Sequence, residues 1–148
     1  MAKLIHTMIR VRELERSLKF YEAVLDMKES HRLDFPEFTL VYLRADGCHF
    51  ENELTLNKGR EDEYTHGTGY GHVAVVVPDA NSKRAQVDAL GYAPTAVKEF
   101  KRGEELLARF FFVQDPDGSA NVGCILHLQS GTTVPVQHWV EMVDQALA

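Results

Sequence analysis

A chain of 148 residues has room for one compact unit, or for two small ones sharing a core. Its net charge of −6 argues against a general nucleic-acid binder, which needs a basic surface. No apolar run approaches the ~20 residues of a membrane span and the N-terminus carries no secretory apolar segment, so a cytoplasmic protein is expected, with Cys48 and Cys124 as buried, reduced thiols.

The first half reads as strand, helix and three strands. Residues 4–11 form a strand, and residues 12–25 show helical spacing, with Leu14, Leu18, Tyr21 and Leu25 on one face. Strands follow near 27–33, 38–45 and 48–57, the last two joined by a tight turn at Gly47. A polar, glycine-rich linker covers 58–71. The second half repeats the order. A strand at 72–77 is broken by Pro78-Asp79, which offers a helix start, and the helix closes at Gly91. Strands are predicted near 93–98, 106–114 and 122–129, with Asp115-Pro116-Asp117-Gly118 as the last turn. From Pro135 onward Val136, Trp139, Val140, Val143 and Leu147 recur at helical spacing and predict a C-terminal helix over 135–148.

A βαβββ unit cannot easily bury both faces of its sheet, and two of them side by side make one curved mixed sheet with a concave face. The expected fold is therefore α+β, a single domain of two βαβββ modules, near 1–58 and 70–130, plus the C-terminal helix. The repeat organises the chemistry as well. The first strand carries His6 in one module and His72 in the other, and the last strand carries Glu53 and His127. Imidazole and carboxylate hold divalent metals, and strands fix their geometry. Glu53 follows His6 by 47 residues and His127 follows His72 by 55, so loops of the second module must absorb eight more. Pseudo-twofold symmetry then predicts His6, Glu53, His72 and His127 together as metal ligands at the centre of the concavity.

These residues sit in segments that resemble glyoxalase I, the lactoylglutathione lyase family of the vicinal oxygen chelate superfamily. The resemblance runs through His6-Thr7-Met8-Ile9-Arg10-Val11, Ser17-Leu18-Lys19-Phe20-Tyr21, Glu53-Leu54-Thr55-Leu56-Asn57, Gly69-Tyr70-Gly71-His72-Val73-Ala74 and Phe112-Val113-Gln114-Asp115-Pro116-Asp117-Gly118, in family order. It implies a metal-dependent lyase that isomerises the methylglyoxal–glutathione hemithioacetal to S-lactoylglutathione, with sites shared between two subunits of a homodimer. It implies His6, Glu53 and His72 as ligands of nickel, cobalt or zinc, with iron less expected. Arg10 and Asn57 match positions that hold glutathione, and Lys101, Arg102 and Gly103 fall in the loop that closes over it.

The family places a glutamate shortly after Asp-Pro-Asp-Gly as fourth ligand and base, and here none occurs between Asp117 and Glu141. His127 is the candidate replacement, and Glu53 is preferred to it as the catalytic base. Two other functions compete on the same scaffold. A ring-cleaving Fe(II) dioxygenase would use two histidines and one carboxylate, and a metal-free protein would bind a small molecule in the concavity.

Overall fold

The computed structural model of the protein describes residues 2–65, 67, 69 and 71–118, and the backbone alone of 121–127. The elements run β1 (His6–Val11), α1 (Leu14–Leu25), β2 (Lys28–Asp34), β3 (Phe38–Arg44) and β4 (Glu51–Asn57), then β5 (His72–Val76), α2 (Ala80–Ala89), β6 (Lys98–Arg102), β7 (Glu105–Gln114) and β8 (Asn121–His127). This is the βαβββ order twice over, an α+β architecture with mixed sheets. The strands form two four-stranded sheets, ordered β1-β4-β3-β2 and β5-β8-β7-β6, where one curved sheet was expected. In each, the first strand runs parallel to the last and the remaining pairs are antiparallel. The predicted helix over 135–148 lies outside the described residues.

Alternation along the strands decides how the modules meet. On β1, Ile9 and Val11 are buried while His6, Met8 and Arg10 are exposed. On β5, Val73 and Val75 pack against the core while His72, Ala74 and Val76 are exposed. The apolar faces of both modules and the inner side of α1 form one cluster, in which Ile9, Val11, Phe20, Val24, Val41 and Leu54 meet Val77, Val87, Phe111 and Val113. Phe20 is its hinge point, edge-on to Tyr21 at 5.2 Å and to Tyr92 of the second module at 4.9 Å. A four-stranded sheet this small buries too little apolar surface by itself, so the two modules supply each other's core.

The Asp115–Gly118 turn locks the modules together. Asp117, whose side chain is 0% exposed, accepts the backbone N–H of Arg12, just ahead of α1, at 3.0 Å, and Arg16 Nη2 at 3.0 Å and Ser17 Oγ at 2.8 Å from within it. Tyr21 Oη donates to Asp115 Oδ2 at 3.0 Å. A carboxylate at a helix N-terminus satisfies free amides and meets the positive end of the helix dipole. Gly118 closes the turn with φ +67° and an N–H donated to the Asp115 carbonyl at 3.0 Å. The turn is thus an inter-module bolt as well as a chain reversal.

Two local expectations shift. The strand predicted at 93–98 begins instead at Lys98, because Pro94 has no N–H for a ladder. Thr95 still fastens this stretch to β7, its N–H donating to the Phe112 carbonyl at 2.8 Å and its Oγ1 accepting the Phe112 N–H at 2.9 Å. Cys48, expected as a buried strand thiol, is free and exposed in the turn before β4. Gly47 has φ +74° and the hairpin reverses there, leaving Cys48 outside the ladder.

Candidate metal centre

His6 and Glu53 come together on the outer face of the first sheet. The parallel register sets His6 opposite Glu51 and Met8 opposite Glu53, so the two side chains approach on a diagonal. His6 Nε2 stands 3.4 Å from Glu53 Oε2. Two ligands each ~2.1 Å from one ion at a tetrahedral angle lie about 3.4 Å apart, so the pair fits a shared metal. Glu53 is only 8% exposed, and a buried carboxylate needs donors or a cation. Thr55 Oγ1 donates to Glu53 Oε1 at 2.9 Å, which leaves Oε2 turned toward His6.

Tyr42 on β3 sits opposite Glu53 in the ladder. The neighbouring Glu53 carboxylate, burial and the charge of Glu51 hold its phenol above its ordinary pKa. The Tyr42 ring meets the His6 ring edge-on at 5.7 Å and stacks on His31 at 4.2 Å, 8° from parallel. His31 in turn shares Ser30 Oγ at 3.1 Å, and Ser30 donates to Glu51 at 2.6 Å. Tyr42, Thr55 and His31 were not singled out in the sequence. The signal for Tyr42 was present: a hairpin reversing at Gly47 sets it across from Glu53.

His72 lies on the outer face of the second sheet, exposed, with Phe112 edge-on at 5.3 Å. The structure does not bring it to His6 and Glu53. Among the described residues no group of three or more His, Cys, Asp or Glu converges. The reason is the shared core: each sheet turns its apolar face inward, and its ligand face must then point away. Among the described residues, His72 thus stands apart from the His6–Glu53 pair.

His127 does not take the place that symmetry suggested. His6 pairs across 45 residues, with Glu51, and His72 across 49, with Asn121. The loops of the second module thus absorb four of the eight extra residues. The counterpart of Glu53 is Gly123, and His127, opposite Ala108, stands four residues further along β8, roughly 13 Å at strand rise.

The expected substrate contacts divide in the same way. Arg10 shares the exposed face of β1 with His6 and pairs in register with Thr55. Asn57 Nδ2 donates to Tyr64 Oη at 3.0 Å, and the Arg60 guanidinium lies over the Tyr64 ring at 4.4 Å. Lys101 and Arg102 flank Gly103 on the β6–β7 hairpin. They already pair with Glu99 at 2.9 Å and Glu105 at 2.7 Å. Lys101 and then Arg109 hold the Glu99 carboxyl below its usual range through hydrogen bonds.

The sequence and the fold are similar to those of known proteins. The sequence profile of the Glyoxalase/Bleomycin resistance protein/Dioxygenase superfamily matches residues 3–122. The chain is 42% identical over 121 residues to a lactoylglutathione lyase of Haemophilus influenzae, covering 78% of this chain and 87% of that one. It is 32% identical to the Pseudomonas aeruginosa lactoylglutathione lyase, over 96% of this chain and 82% of that one. Among solved structures it is similar to the trypanothione-dependent glyoxalase I of Leishmania major, with 30% identity and a TM-score of 0.69 over 100% of both chains. It is also similar to maize glyoxalase I, with 31% identity and a TM-score of 0.73 over 83% of this chain, although it spans only 44% of the maize chain. With paired βαβββ modules, a His–Glu half-site on one sheet and a profile match across both, this chain belongs to the Glyoxalase/Bleomycin resistance protein/Dioxygenase superfamily.

Proposed function

We infer that the protein is a metal-dependent lactoylglutathione lyase, a glyoxalase I that isomerises the hemithioacetal of methylglyoxal and glutathione to S-lactoylglutathione. The observation that carries this reading is the His6–Glu53 pair, a buried carboxylate aimed at an imidazole, in a chain 42% identical to a lactoylglutathione lyase over 87% of its length. His6, Glu53 and His72 are the proposed protein ligands. Two imidazoles and one carboxylate favour nickel, cobalt or zinc over magnesium. When bound, such an ion supplies Lewis acidity to the adjacent substrate oxygens.

The remaining chemistry falls to side chains. Glu53 is the proposed base, taking the proton from the carbon beside the carbonyl and returning it to the neighbouring carbon. Its burial limits water that would exchange or divert the proton. Arg10, on the same face as His6, meets a glutathione carboxylate, with Asn57 beside it. Lys101 and Arg102 offer further positive charge from the second module once the tripeptide draws them from Glu99 and Glu105.

Because the ligand faces look outward, a complete site draws His6 and Glu53 from one chain and His72 from another. The exposed apolar residues on those faces support such pairing: Met8 and Leu33 on the first sheet, at 41% and 44% exposure, and Val76 and Phe100 on the second, at 61% and 57%. We propose a homodimer that works in the cytoplasm. No helix among the described residues is long and apolar enough to cross a membrane.

Thioester formation from methylglyoxal and glutathione, measured on metal-stripped protein reloaded with nickel, cobalt or zinc, tests the function. Turnover restored by at least one of these ions is the expected result. Gly123 at the counterpart of Glu53 leaves a two-histidine, one-carboxylate set that would also suit Fe(II) ring cleavage. Oxygen uptake with Fe(II) and a catechol, without thioester formation, would establish that second reading. Arg10→Ala should raise KM for the hemithioacetal about ten-fold, the loss of one charge-assisted hydrogen bond, with metal content unchanged. A KM equal to the parent's removes Arg10 from the binding site.

A further inference from the structure

We propose that Arg60 and Tyr64, on the turn that follows β4, form a further substrate-binding group that takes the γ-glutamyl carboxylate of the glutathione moiety. This deepens the reading of Asn57 as a glutathione contact and rests on it.

Alternation along β4 puts Glu53, Thr55 and Asn57 on one face, where Thr55 Oγ1 already donates to Glu53. Asn57 therefore stands roughly 13 Å along the strand from Glu53. At the reach of an extended chain, the γ-glutamyl arm runs about 9 Å from sulfur to carboxylate and the glycyl arm about 7 Å. The reacting carbons beside Glu53 take up the remainder. The longer arm is the one that reaches Asn57.

At that end of the strand the chain turns back. Gly59 has φ +75°, and the Arg60 N–H reaches the Asn57 carbonyl at 3.4 Å. Glu63 ties the same segment to Arg12, just past β1, at 3.1 Å. Tyr64 is half-buried, and its Oη accepts Asn57 Nδ2 at 3.0 Å. The hydroxyl keeps its own proton to donate, and among the described residues nothing accepts it. The Arg60 guanidinium lies over the Tyr64 ring at 4.4 Å. Its acceptors among the described residues are the carbonyls of Asp62 at 3.3 Å and Glu63 at 3.5 Å, and no carboxylate pairs with it. A guanidinium offers about five N–H donors, so most of the fork is unused. Stacking on an aromatic ring holds that fork in place, and a carboxylate is the anion its geometry fits. Glu61 and Asp62 are exposed in the same turn. Recognition here is thus by short contact, not by long-range attraction.

The probes are S-methylglutathione, which lacks the reacting carbons, and two forms of it amidated at either the γ-glutamyl α-carboxylate or the glycine carboxylate. Each is titrated calorimetrically into the full-length protein. The parent should bind the γ-glutamyl amide about ten-fold more weakly than the acid, the loss of one charge-assisted contact. Arg60→Gln keeps a planar group over Tyr64 and removes the charge. It should bind the acid about ten-fold more weakly than the parent and no longer distinguish it from the γ-glutamyl amide. Tyr64→Phe keeps the ring and should weaken the acid about three-fold. If Arg60→Gln retains the parent's preference, or weakens all three ligands equally, the turn only orders itself and the proposal is overturned. A preference lost at the glycine amide instead overturns it as well. Failure of the parent to bind S-methylglutathione removes the glutathione reading itself, whereas parent-like binding by both variants refutes the roles of Arg60 and Tyr64 alone.

Discussion

His6→Ala and His72→Ala should each abolish lyase activity and stoichiometric metal, and a mixture of the two should recover activity. Each substitution removes one imidazole from a site with only three proposed protein ligands. A buried carboxylate and one remaining imidazole hold a divalent ion too weakly to survive purification. Recovery follows from the direction in which the sheets face. If a site takes His6 and Glu53 from one chain and His72 from its partner, a mixed dimer has one intact site and one doubly damaged site. Subunits exchanged at random give about half mixed dimers, so about one quarter of parent turnover returns. The measurement is thioester formation after co-refolding the two variants, with nickel content determined on the same samples. No recovery across a range of ratios would mean that each chain builds its own site, and the outward-facing arrangement would then be wrong for the working enzyme.

Asp117→Ala is expected to lower unfolding stability by about 2–3 kcal/mol, since one fully buried carboxylate satisfies several donors, one of them charged. Once it is gone, the Arg12 amide ahead of α1 loses its acceptor and Ser17 is left in a buried position without Asp117. Urea unfolding should show a lower midpoint with an unchanged slope, the pattern of lost stability rather than changed compactness. Asp117→Asn keeps the shape and one acceptor oxygen, and should lose about half as much. A change of less than about 0.5 kcal/mol in Asp117→Ala, ordinary for a surface site, would show that the turn is a connection and not a bolt.

Much of this architecture was legible in the residues. Alternation located β1, β3, β4, β5 and β7 to within a few positions, and the paired order of elements exposed the repeat. The hairpin pivoting at Gly47 even contained the Tyr42–Glu53 pairing, since placing the turn fixes every rung beyond it. What could not be read was which face of each sheet meets the other module. A strand such as His6–Val11 offers one polar and one apolar face, and the pattern says only that the apolar face is covered. Seeking four ligands in one chain turned the polar faces inward, whereas burying Ile9, Val11, Val73 and Val75 in a common core turns them out. Loop lengths were the second obstacle. The spacing of His127 assumed eight residues absorbed before β8, and the ladder absorbs four, which leaves Gly123 where a ligand was expected. At β6, an apolar-looking stretch lost its strand to the missing N–H of Pro94.

The outward orientation of the two ligand faces has a thermodynamic corollary. If the ligands come from two chains, as proposed, the ion would be a cross-link, and by linkage it would tighten subunit association by the same factor that association tightens its binding. Metal occupancy would then depend on protein concentration, and a chelator would act as a dissociating agent as much as an inhibitor. Dilution and metal starvation would become two routes to the same inactive species, a chain folded around its shared core and carrying two incomplete sites.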